Sequence, residues 1–99
     1  METYGITLNI HYTAPDEIWD KLMVLYTMMP GWNEQMKCWY GNEGKLIEVS
    51  VEPGGLQFYA ELPAKEWETW ILEFKEKATE ILGYEIGDPE DGFEFHYYD

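Results

Sequence analysis

Arginine is absent from this chain and lysine is scarce: 6 basic side chains stand against 20 Asp and Glu, a formal charge of -14 in 99 residues. Phosphate recognition needs patches of Lys and Arg, so this balance argues against direct nucleic-acid binding and against an anionic membrane surface. Cysteine occurs once, at Cys38. That excludes an internal disulfide and fits a reducing cytosol. No apolar run reaches the roughly 18 residues of a membrane span. The opening Met1-Glu2-Thr3-Tyr4 lacks the basic start and apolar block of a signal peptide, so a cytoplasmic location is expected.

Catalytic signals are equally sparse. The one serine, Ser50, has no G-x-S-x-G around it, and Cys38 has no nearby His or second Cys to activate it. Cys38 alternates with Met36 and Tyr40 and reads as a small core residue. Pro53-Gly54-Gly55 leads into a strand rather than a helix, which excludes a phosphate loop. Asp88-Pro89-Glu90-Asp91-Gly92 fails the calcium-loop register. His11 and His96 sit on the minority faces of the first and last expected strands, with no metal-ligand spacing. The chain is therefore read as a non-enzyme, with no cofactor and no metal.

What the chain does have is aromatic residues, five Trp and eight Tyr among them. Acidic chains this highly charged are usually disordered and poor in aromatics. Length and apolar content instead suit one domain, residues 1–99, with a single core. Tyr4, Ile6, Leu8, Ile10 and Tyr12 alternate with polar residues and predict a strand. Thr13 offers an N-cap before a helix carrying Ile18, Trp19, Leu22, Leu25 and Tyr26, which ends near Met29 before Pro30-Gly31. Gly31 to Gln35 reads as a loop. Strands follow at Met36–Tyr40, Leu46–Val51 and Leu56–Glu61, joined by Gly41–Gly44 and by a type II turn at Pro53-Gly54. Pro63 opens a second helix with the stripe Trp67, Trp70, Ile71, Phe74, Ala78, and Gly83 stops it. Phe93, Phe95 and Tyr97 predict a final strand. The order β-α-β-β-β-α-β implies an α+β domain of ferredoxin-like character, with one mostly antiparallel sheet and both helices on one face.

The other sheet face should be open. On the predicted parity Trp39, Tyr59 and Tyr98 fall there, amid Glu48, Glu61 and Glu94. Trp32, Glu34 and Glu43 fall in adjoining loops, as do Asp88, Glu90 and Asp91. Aromatic anchors ringed by acids suit a protein interface, where charge steers the encounter. Twelve partner-binding residues are thus expected: Trp32, Glu34, Trp39, Glu43, Glu48, Tyr59, Glu61, Asp88, Glu90, Asp91, Glu94 and Tyr98. The same face could alternatively join a homodimer.

Three stretches carry a family resemblance: Val49 to Phe58 (VSVEPGGLQF), Glu66 to Trp70 with Phe74-Lys75, and Leu82 to Gly92 (LGYEIGDPEDG). Across residues 48–92 the chain resembles small bacterial immunity proteins that neutralise polymorphic or contact-dependent growth-inhibition toxins. The resemblance implies a cytosolic inhibitor that binds a basic toxin domain, often a nuclease, by occlusion. It supplies no binding residues. Two other readings compete with it. One is an acidic DNA mimic that inhibits a restriction or defence protein. The other is a small-ligand-binding domain that uses the open sheet face with His11 or His96.

Overall fold

The first alternation becomes β1, Glu2–Leu8, in a computed structural model that describes residues 2–42 and 44–97. Then follow α1 (Asp16–Met28), β2 (Trp32–Asn33), β3 (Cys38–Asn42), β4 (Lys45–Glu52), β5 (Gly55–Leu62), α2 (Ala64–Leu82) and a 3₁₀ turn at Pro89–Asp91. The strands form one antiparallel sheet in the order β1-β5-β4-β3-β2. The fold is α+β, as the alternation of periods implies.

Period two decides which sheet face is covered. Leu56, Phe58, Ala60 and Leu62 of β5 are buried, as are Leu8 of β1 and Ile47 of β4. They share one core with Leu22, Leu25 and Tyr26 of α1 and with Trp67, Trp70, Ile71, Phe74 and Ala78 of α2, so both helices cover the same face. Each such Leu, Ile or Phe contributes about 1.5–3 kcal/mol by leaving water. Along α2 the i, i+3, i+4 spacing layers three rings nearly parallel: Trp67 and Trp70 lie 6.3 Å apart, Trp70 and Phe74 5.8 Å.

Both helices start directly after a proline, Pro15 and Pro63, without a side-chain cap. Thr13 does not cap α1, because its hydroxyl lies 2.6 Å from Nδ1 of His11 instead. Gly83 ends α2 in the left-handed conformation, φ 82°, as its sequence position suggests.

The expected final strand is absent. Phe93 to Tyr97 has no ladder partner and crosses the end of β1. It meets β1's continuation at Asn9, one residue past the last pair, Leu8↔Leu56. There the rings find partners other than a sheet. Phe95 and Tyr97 lie 6.0 and 5.0 Å from His11, and His96 stacks on Tyr84 at 5.4 Å. A fifth strand comes instead from the expected loop, where Trp32 and Asn33 pair with Trp39 and Cys38.

The Pro53-Gly54 turn also differs from a type II turn, which needs positive φ at its third residue. Gly54 lacks it, and the following Gly55 has φ 130°. A Cβ on Gly55 would stand 2.4 Å from the carbonyl oxygen of Leu8. Gly55→Ala is therefore expected to destabilise the fold by on the order of 2 kcal/mol in urea unfolding, whereas Gly54→Ala, with nothing within 4 Å, should change it little.

Candidate functional site

The uncovered sheet face is built from register. Thr3, Gly5 and Thr7 of β1 stand opposite Glu61, Tyr59 and Gln57 of β5, which in turn oppose Leu46, Glu48 and Ser50 of β4. Tyr59 lies mid-face and is 43% exposed. Its neighbour on β1 is Gly5, which leaves room beside the ring. The Tyr59 hydroxyl donates to Glu61 at 2.7 Å, and Ser50 donates to Glu52. Asp88 and Glu90 extend the acidic surface past β1, where they border a groove of about 530 Å³ with Gly5, Thr7 and Gln57.

The lysines lie elsewhere. Lys21 is on α1, and Lys65, Lys75 and Lys77 are on α2. Lys37 pairs with Glu34 in the β2–β3 loop. Lys45 opens β4 on the parity of Ile47, reaching across the helix side to Glu66 at 3.0 Å and over the ring of Tyr40 at 5.9 Å. Among the described residues, Glu48, Glu52, Glu61, Asp88 and Glu90 thus share a face on which no lysine stands. The lysines are set apart from this face, although acids also stand on both helices, Asp16, Glu17 and Asp20 on α1 and five glutamates on α2.

Of the tyrosines, Tyr59 responds to the acids of this face. The phenol of Tyr59 is pushed up by its hydrogen bond to Glu61, then by burial and by the charges of Glu61 and Glu48. Tyr4, bonded to Glu2 at 2.6 Å, is pushed up to about 12. Burial alone raises Tyr26. In each case the fold favours the neutral phenol, while the unfolded chain loses those protons near the ordinary value of about 10. Stability is therefore expected to be intact below that pH and to fall as pH rises through it, measured as the urea midpoint against pH. Glu61→Gln should bring Tyr59 back toward ordinary tyrosine behaviour, read from its ring resonances in an alkaline NMR titration. An unchanged titration would show that the acids do not act on the ring.

Of the twelve expected residues, Glu48, Tyr59 and Glu61 lie together on the open face, with Asp88 and Glu90 at its border. Asp91 is exposed in the same 3₁₀ turn. Glu94 is exposed at the sheet end, and its backbone carbonyl accepts from the side chain of Asn9. Glu34 is exposed in the β2–β3 loop, its carboxyl held low chiefly by its hydrogen bond with Lys37. Trp32 is half-buried and packs on the core with Trp39, 5.3 Å away. Glu43 and Tyr98 lie outside the described residues.

Trp39 is a correction. It belongs to the core, with 0% exposure, and cannot anchor a partner. Its pairing with Ile47 puts it on the covered face, where Nε1 donates to the carbonyl of Tyr26 at 2.9 Å. Burying the largest side chain with its N–H satisfied outweighs burying Met36, which is exposed. Cys38 takes the opposite parity and is buried beside Met36 and Gly41 rather than in the main core. Burial, then the charge of Glu48, raises its thiol. Glu52 was missed in the sequence, although it continues the Glu48, Ser50 series.

His11 and His96 keep the aromatic and hydroxyl partners described above, and no group of three or more His, Cys, Asp or Glu among the described residues is placed to hold a metal. The groove along β1 has no histidine in its wall, nor has one of about 450 Å³ beside Tyr40 and Trp70. No protein-family model matches this chain, and no curated protein or solved structure is significantly similar to it. What the face can do follows from its own chemistry. It presents carboxylates around one central phenol, groups that pair favourably with cationic side chains. No helix among the described residues is long and apolar enough to cross a membrane.

Proposed function

We propose that this protein is a cytoplasmic inhibitor of the immunity-protein type, which binds a basic toxin domain and occludes the surface that the toxin uses for its substrate. The observation that supports this most is an acidic open face without lysine. The open sheet face carries Glu48, Glu52 and Glu61 around Tyr59, with Asp88 and Glu90 beyond, while Lys21, Lys65, Lys75 and Lys77 lie on the helices, Lys45 pairs on the helix side and Lys37 pairs with Glu34 in the β2–β3 loop. A net charge of -14 works against compactness through self-repulsion. The part of it on the open face has no lysine beside it, so that face attracts a cationic partner and repels acidic ones, a second copy of this chain included. Lysines and arginines that a nuclease uses to hold phosphates would pair with these carboxylates, and Tyr59 would be the desolvated centre.

The test is the binding of a basic nuclease toxin domain to the wild type, to Glu48→Gln/Glu61→Gln, and to Lys75→Gln as a distant control. The double variant is expected to bind about 30-fold or more weakly, since removing one partner of a buried charge pair costs roughly 2–5 kcal/mol. Lys75→Gln should bind as the wild type does. Equal affinity for all three would refute a role for this face.

A further inference from the structure

We infer that the outer edge of β1 is a docking site for a basic, extended segment of a partner protein, which joins the sheet as an additional strand. The inference rests on the basic-partner reading above and adds how that partner is held.

β1 ends the sheet on one side. The carbonyl of Leu8 faces β5, since a Cβ on Gly55 would stand 2.4 Å from it. Backbone groups alternate in direction along a strand, so Thr3, Gly5 and Thr7 turn their N–H and C=O groups outward. Asn9, next in that series, already uses this direction, donating its N–H to the carbonyl of Gly87 at 3.0 Å. Among the described residues, no hydrogen bond links the backbone N–H of Thr3, Gly5 or Thr7 to a group outside the sheet.

Natural edge strands are normally blunted by Lys, Pro, a bulge or a covering loop. β1 has no Lys or Pro and pairs with β5 without a register break. The C-terminal segment that sequence periodicity places beside it as a strand lies past its end instead. The groove of about 530 Å³ reaches from Gln57 and Phe58 of β5 across Gly5 and Thr7 of β1 to Asp88 and Glu90 beyond this edge. Its far wall is held near Asn9, whose side chain donates to the carbonyls of Glu85 and Glu94 at 3.0 and 2.7 Å and accepts from Gly87 N–H at 2.8 Å.

Charge selects the occupant. A second copy would bring its own Glu2, Asp88 and Glu90 against the same acids. A strand with alternating Lys or Arg would instead set its cations beside Asp88, Glu90 and the open-face carboxylates while its backbone completes the bonds of Thr3, Gly5 and Thr7.

The probe is a synthetic peptide of alternating Lys and Val, compared with an analogue N-methylated at alternate amides. Each is titrated into the full chain at low ionic strength, with amide exchange followed by NMR. The unmodified peptide is expected to slow exchange at Thr3, Gly5 and Thr7 and to leave Tyr4 and Ile6 unchanged. The N-methylated analogue should bind about 10-fold more weakly for the loss of one or two bonds. Thr7→Pro, which removes one outward N–H from an edge strand, should weaken the unmodified peptide similarly. Equal binding of both peptides without edge protection overturns the inference and leaves the acidic-face reading standing. Binding of neither overturns both. Protection that grows with protein concentration and without peptide assigns the edge to a second copy and also overturns it.

Discussion

Asn9→Leu is expected to lower the unfolding free energy by about 3–5 kcal/mol, a large share of the roughly 5–15 kcal/mol that holds a small domain together. Asn9 is the buried polar residue among those described, with 0% exposure. Its amide donates to two carbonyls, Glu85 and Glu94, and its side-chain oxygen accepts from Gly87 N–H. Its own backbone donates to Gly87 and accepts from the Tyr84 hydroxyl at 2.8 Å. Leucine matches the volume but leaves two carbonyls and one N–H without partners, away from water. Desolvated, unsatisfied groups cost more than the net worth of the bonds they lost. The loss should appear in urea unfolding. It should also appear at lower denaturant as faster amide exchange across residues 85–94, because Asn9 ties that segment to the sheet. A change under 1 kcal/mol would mean that the segment is held by its aromatic contacts instead.

Trp39→Ala should cost a comparable 3–5 kcal/mol. The Trp39 ring lies within 4.8–6.1 Å of the rings of Trp70, Trp32, Tyr26 and Phe58, and so joins both helices to the sheet. Its removal opens a cavity at that junction and leaves the Tyr26 carbonyl with only the long bond from Met29 N–H at 3.4 Å. Tyr59→Ala, by contrast, removes an exposed ring and should change stability by less than about 1 kcal/mol. Had Trp39 been a surface anchor, the two substitutions would act alike, each changing the urea midpoint little and each weakening binding. Paired unfolding and binding measurements on these variants separate core from surface directly.

Much of this was legible in the one-dimensional pattern. β1 and β5 alternate cleanly, so Tyr59 and Glu61 could be assigned to the open face, and the ring stripe of α2 is a plain helical period. Parity in β3 was not legible. Met36, Cys38 and Tyr40 form one apolar series and Trp39 the other, and Lys37 and Tyr40 both take positive φ, 55° and 64°, so regular alternation breaks there. The C-terminal alternation of Phe93, Phe95 and Tyr97 misled for another reason: a period of two states which rings share a side but not whether an edge lies within reach. The segregation of lysine was half visible. Lys45 shares the parity of Ile47, which foretells the helix side. The placement of the helical lysines depends on how α1 and α2 sit on the sheet, which no local pattern records.

The open-face carboxylates should steer association before any contact forms. The most direct test is the association rate constant of the protein with a basic nuclease toxin domain, measured by stopped flow from low salt to above physiological salt. A fall of about 10-fold or more is expected as the screening length shrinks below roughly 8 Å, with a shallower slope for Glu48→Gln/Glu61→Gln than for the wild type. A rate constant that stays flat with salt, or slopes that coincide for the two proteins, would contradict a partner drawn in by this face.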